Sequence, residues 1–167
     1  MANEKTAPVA VVMGSENDLK VMEQGIGQLR EFGIEPVVRI LSAHRTPEAA
    51  AEFARTAESR GVKVIIAAAG MAAHLAGAMA AWTTLPVIGV PLACEGGLGG
   101  LDALLSTVQM PPGVPVATVA IGPAGAKNAA LLAVQVLALA DPALADKLRQ
   151  FKRDQQQKVR DQDARLA

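Results

Sequence analysis

Short continuous apolar runs alternate along this chain with stretches whose apolar residues recur every three or four positions. Val9-Ala10-Val11-Val12-Met13 is such a run, closed by Gly14, as expected of a strand buried on both faces. Leu19, Met22, Ile26 and Leu29 then follow helical spacing, with Gly33 as the stop. Residues 36–41 read as a second strand. Thr46, Pro47 and Glu48 offer a capping hydroxyl, a proline suited to the first helical position and an acid for the first turn. The helix they open is predicted to run to about Arg60, with Gly61 ending it.

The same alternation predicts a third strand over residues 62–68, a helix over 72–82, a fourth strand over 87–90 and a short helix over 101–108. A fifth strand over 116–120 precedes a long alanine-rich helix over about 125–139, and Pro142 opens a last helix. Five strand–helix units with short connections predict an α/β protein whose parallel sheet is covered by helices on both faces. No internal repeat or linker interrupts the pattern, so residues 1–167 read as one catalytic domain. Residues 1–7 are expected to be a flexible N-terminus. Beyond Lys152 the last helix is almost wholly polar, so residues 142–167 are expected to pack on neighbouring subunits or fray.

Composition narrows the classes. Hydrophobic residues make up 51% of the 167 positions and charged residues 19%, which argues against disorder. Acids and bases balance at 16 each, leaving no basic field for nucleic acid and no polybasic run for a membrane surface. Apolar stretches are broken before they reach membrane-spanning length. One cysteine, Cys94, rules out an intramolecular disulfide and suits a reducing cytoplasm; residues 1–6 carry no apolar signal core. Aromatic residues are only 2% and alanine is abundant. Small side chains bury little area each, so a lone subunit would have a thin core and a homo-oligomer is expected.

Ligands of open parallel sheets bind beyond the carboxyl ends of the strands. Three segments fall there: residues 13–18, 42–47 and 69–74, and they hold both histidines of the chain. In the first, Gly14 permits a tight turn and Ser15 starts a helix whose free N–H groups suit an anion; Ser15 or Asn17 as an ordinary cap, with Asp18 favouring the dipole, fits equally. Neither a dinucleotide fingerprint nor a P-loop is present. In the second, Arg45 presents a planar fork for phosphate, Ser42 a hydroxyl, and His44 an imidazole able to move a proton. A histidine that only anchors the loop to the backbone is the alternative. His74 reads either as a site residue or as a helix-start histidine. Two histidines and a cysteine without tight spacing make a poor metal site. Cys94 is expected to be a buried, inert thiol, and Asp102 a helix-start residue.

Taken together, Val12-Met13-Gly14-Ser15 with Asp18, Ser42-Ala43-His44-Arg45-Thr46-Pro47, Ala72-Ala73-His74-Leu75 and the segment from Val108 to Gly122 resemble the 5-(carboxyamino)imidazole ribonucleotide mutase family. The resemblance runs from about residue 9 to 139, and the Ser-Ala-His-Arg-Thr-Pro string is its most specific part. It implies a flavodoxin-like three-layer sandwich with a five-stranded parallel sheet, assembled as a homo-octamer with sites at subunit contacts. It further implies an isomerase of purine biosynthesis that moves a carboxylate from the exocyclic nitrogen to a ring carbon, with no cofactor and no metal. By position, His44 would be the acid/base. Gly14, Ser15, Asp18, Ser42, Arg45, Gly70 and His74 would bind the ribonucleotide in a closed, mostly apolar pocket with Ala69 and Ala72. Met71 stands where the family usually has Gly, Ala76 where it has Pro, and Asn17 where Ser is commoner; residues 95–100 are looser than usual. A carboxylase of related type that uses free carbon dioxide, and a non-catalytic module that binds a phosphorylated ligand, are the competing readings.

Overall fold

The computed structural model describes residues 7–166. Five parallel strands, β1 (Val9–Met13), β2 (Val37–Ile40), β3 (Val64–Gly70), β4 (Val87–Leu92) and β5 (Ala117–Thr118), form one sheet in the order β2-β1-β3-β4-β5. The helices are α1 (Leu19–Glu31), α2 (Pro47–Thr56), α3 (Leu75–Ala80), α4 (Leu101–Val108), α5 (Gly122–Ala138) and α6 (Pro142–Asp163). The strand order is the flavodoxin-like one expected, and it reverses between β1 and β3.

Alternation along β1 divides the core. Val9, Val11 and Met13 face Met22, Ile26 and Leu29 of α1 and the alanine face of α5, while Ala10 and Val12 face Phe53 and Ala54 of α2 and Leu75 and Met79 of α3. Small residues bring the layers close, as the composition suggested. A Cβ on Gly25 would lie 2.5 Å from the carbonyl oxygen of Ala126, so α1 and α5 approach each other across a position that only glycine fits.

Several boundaries shift for local reasons. The second helix stops at Thr56 and a 3-10 turn, Glu58–Arg60, leads into Gly61, whose φ of 88° ends it as expected. The third begins at Leu75 rather than 72, and Met71, in the turn before it, has a φ of 53°. The fifth helix starts earlier, at Gly122, with Pro123 in its first turn. The edge strand β5 is short; it has one partner, and Pro115 before it has no N–H to donate. The hydroxyl of Thr46 does not cap α2. It accepts the Ser42 N–H at 2.9 Å and donates to the Ser42 carbonyl at 3.2 Å, so it closes the loop before the helix instead.

Of the N-terminal stretch expected to be flexible, residues 1–6 lie outside the described residues, and Ala7 is buried. Asp141 caps α6 through the N–H groups of Ala143 and Leu144. Leu144, Leu148 and Phe151 pack on the chain's own core, with the Phe151 and Phe32 ring centroids 5.6 Å apart. Nearly half of this helix, up to Phe151, therefore belongs to its own subunit, and from Lys152 to Leu166 every side chain is exposed. Among the described residues no helix is long and apolar enough to cross a membrane.

Candidate active site

The carboxyl ends of β1, β2 and β3 bring the three sequence segments to one edge. A cleft of about 330 Å³ there is lined by Gly14, Ser15, Asp18, Ser42, His44, Arg45, Gly70 and His74, together with small apolar residues and Cys94. All eight residues singled out from the sequence therefore meet in one place. A larger cavity of about 610 Å³ opens at the opposite edge, beside Pro8, Lys63 and Pro86, which precede β1, β3 and β4. Its walls are mostly apolar, with Lys63, Asp141 and Lys147 among them, and both histidines of the chain lie in the smaller cleft.

The first wall is a capping box. The N–H of Ser15 donates to Asp18 Oδ2 at 3.0 Å, and the N–H of Asn17 donates to Ser15 Oγ at 3.3 Å. The ordinary capping role is thus realised by Ser15, and the same two side chains still face the cleft. Asp18 is nearly buried. Burial raises its carboxyl above the usual aspartate value, and the N–H groups of Ser15 and Gly14 and the Arg45 charge pull it partly back.

Arg45 ties the first two segments together. Its Nη2 donates to the Gly14 carbonyl at 2.6 Å, its backbone N–H donates to Ser42 Oγ at 3.1 Å, and its Nε reaches the same oxygen at 3.4 Å. These bonds fix the guanidinium at the mouth of the β1 turn, and the Ser42 hydroxyl keeps its own hydrogen to donate.

His44 and His74 form the opposite wall. Their Nε2 and Nδ1 atoms lie 2.9 Å apart, with ring planes at 78° and centroids 5.0 Å apart. One hydrogen lies between these two atoms, so one ring donates and the other accepts. His44 is therefore held by another imidazole and not by a backbone carbonyl. His74 immediately precedes α3, which agrees with the helix-start reading, yet its ring turns toward His44.

In the single subunit the cleft is open on the side where His44, Arg45, Met71, Ala72 and His74 are exposed. One expectation needs correction. Cys94 is half-buried rather than buried, and it lines the cleft. The loop after β4 returns it to the end of β3, which strand–helix spacing did not reveal. Burial pushes its pKa up, and the Asp18 and Asp102 carboxylates push the same way. Asp102 sits in the first turn of α4 and accepts from the N–H groups of Ala103 and Leu98. Among the described residues no group of three or more His, Cys, Asp or Glu side chains could hold a metal ion.

The family model described as AIR carboxylase matches residues 8–158. The N5-carboxyaminoimidazole ribonucleotide mutase of Saccharolobus solfataricus is 56% identical over 151 residues, covering 90% of this chain and 94% of that protein. The protein of the same name from Pyrococcus horikoshii is 52% identical over 166 residues, covering 99% and 92%. Among solved structures, Treponema denticola PurE superposes with a TM-score of 0.85 at 31% identity, covering 95% of this chain and 98% of that one. The chain belongs to the AIR carboxylase family.

Proposed function

We propose that this protein is an isomerase of purine biosynthesis that converts N5-carboxyaminoimidazole ribonucleotide to 4-carboxy-5-aminoimidazole ribonucleotide. The observation that carries the reading is the His44–His74 pair facing Arg45, Ser15 and Ser42 across one small cleft. The names of its relatives support the same substrate.

Arg45, Ser42 and Ser15 supply donors suited to the phosphate, and Asp18 is an acceptor suited to a ribose hydroxyl. This leaves the imidazole base toward His44, His74 and Gly70. Breaking the carbamate C–N bond leaves its electron pair on nitrogen, and His44 delivers a proton there. The ring carbon then attacks the released carbon dioxide, forming the C–C bond. The proton on that carbon leaves to His44, and the ring regains aromaticity. His44 ends as it began, and the carbon dioxide of the first step is the reagent of the second. Holding the pieces together makes recombination effectively unimolecular. His74 holds the His44 ring and exchanges the shared hydrogen with it.

The open side of the cleft and the surface of α4 support a homo-oligomer, an octamer in this reading. Leu101, Leu105 and Val108 form an exposed apolar stripe along that helix, with Leu98 exposed in the loop before it, and Ile40 and Val38 are exposed on edge strand β2. We place the enzyme in the cytoplasm, where its free thiol would stay reduced.

The test is an absorbance assay with the carbamate substrate in solution depleted of carbon dioxide. The mutase reading expects full turnover there. A strict requirement for added bicarbonate would favour the carboxylase, and binding without turnover would favour a non-catalytic module.

A further inference from the structure

At the end of β3, Gly70 has no side chain, and the Cys94 sulfur occupies the space beside it. A Cβ built on Gly70 would lie 2.0 Å from Cys94 Sγ, 3.4 Å from Cys94 Cβ and 3.2 Å from the Leu92 carbonyl oxygen. The thiol is therefore already packed against the Gly70 backbone. Gly70 pairs with Leu92 at the last rung of the β3–β4 ladder, and the chain turns back two residues later to lay Cys94 across that end. Both residues line the cleft that holds His44, His74 and Asp18.

We infer that Cys94 is a specificity-determining residue of the reaction proposed above, its thiol lining the cleft beside Gly70 and limiting the room in which carbon dioxide moves between the two steps. The inference rests on that functional reading. The two residues act as a pair: the missing side chain at position 70 makes room for the sulfur, and the sulfur fills that room. Protonated and weakly polar, the thiol offers neither a charge nor a strong hydrogen-bond donor to a small apolar molecule. It takes no covalent part. Truncating it would enlarge the cleft by about one sulfur atom and leave His44, Arg45 and their hydrogen bonds in place.

The experiment follows substrate labelled in its carboxylate carbon, with carbonic anhydrase and unlabelled bicarbonate in solution, and reads the fraction of label retained in the product. Wild type is expected to retain most of it. Cys94→Ala is expected to lose label several-fold more per turnover, and Cys94→Ser, which keeps nearly the same volume, to stay close to wild type. A merely structural role would lower activity and stability without changing the retained fraction. Equal retention in Cys94→Ala and wild type overturns the inference while leaving the functional reading intact. Absence of turnover by wild type overturns both.

A second measurement needs no variant. Methyl methanethiosulfonate transfers a methylthio group to the thiol and releases methanesulfinic acid, and Cys94 is the chain's only cysteine. Bound product nucleotide is expected to slow this reaction, and the modified enzyme to lose turnover. Modification unaffected by nucleotide, with full activity afterwards, also overturns the inference.

Discussion

His44 Nε2 and His74 Nδ1 lie 2.9 Å apart, although thirty residues separate them in the chain. Only one hydrogen fits between these atoms, so doubly protonated rings could not keep the contact. A neutral hydrogen bond of this kind contributes about 0.5–1.5 kcal/mol, or roughly 2- to 10-fold in a rate that depends on it. His74→Ala is expected to lower kcat by about that factor, change the pH profile of kcat and leave KM nearly unchanged. An unaltered pH profile would show that the contact is incidental to turnover.

Arg45 is predicted to act through geometry as well as charge. It bridges the Gly14 carbonyl and the Ser42 hydroxyl through separate nitrogens, a pattern lysine cannot reproduce. Loss of a charged hydrogen bond to phosphate costs about 1.5–3 kcal/mol. Steady-state kinetics of Arg45→Lys should show KM raised by about 10- to 100-fold with a smaller change in kcat. A KM within twofold of wild type would contradict the placement.

Asp18 links the site to stability. Burial raises its carboxyl above the ordinary 3.8, so the folded state binds this proton more tightly than the unfolded chain does. Its contribution is fully present below 3.8 and is lost as pH rises through the higher folded value. Thermal melts of Asp18→Asn and wild type should therefore diverge in favour of the amide as pH rises through that window. Divergence in the opposite direction would mean that the hydrogen bonds from Ser15 and Gly14 outweigh burial.

Met71 carries a local strain. Its φ of 53° lies in the left-handed region, which costs a residue with a Cβ about 1–2 kcal/mol, and half its surface is exposed, so little packing offsets the cost. Glycine removes this strain while adding about 0.5–1 kcal/mol of unfolded-state entropy. Met71→Gly is predicted to stabilise the protein by roughly 0.5–1 kcal/mol, seen as a melting temperature a few degrees higher. A lower melting temperature would mean that the methionine makes contacts worth more than the strain.

Much of this architecture was legible in the sequence because burial leaves a period. The apolar run ending at Gly14 and the spacing of Leu19, Met22, Ile26 and Leu29 located β1 and α1 closely. Strand ends of a parallel sheet share an edge, so Ser15, Ser42, His44 and Gly70 could be grouped without coordinates. Contacts that depend on how loops return were not legible. Nothing in the spacing says that the His74 ring turns to His44, that Cys94 folds over Gly70, or that the Thr46 hydroxyl bonds to Ser42 rather than to its helix. Positive φ at Met71 could not be read from periodicity; only the glycine usual at that place in the family hinted at it.

The most direct test concerns His44. Purified wild type and His44→Asn should be compared in the carbamate absorbance assay, with circular dichroism and nucleotide binding measured on the same samples. Proton transfer by a positioned side chain contributes about 10²–10⁴-fold. The account predicts a variant that folds and binds nucleotide like wild type but turns over at least about 100-fold more slowly. Turnover by His44→Asn within a few-fold of wild type would contradict it.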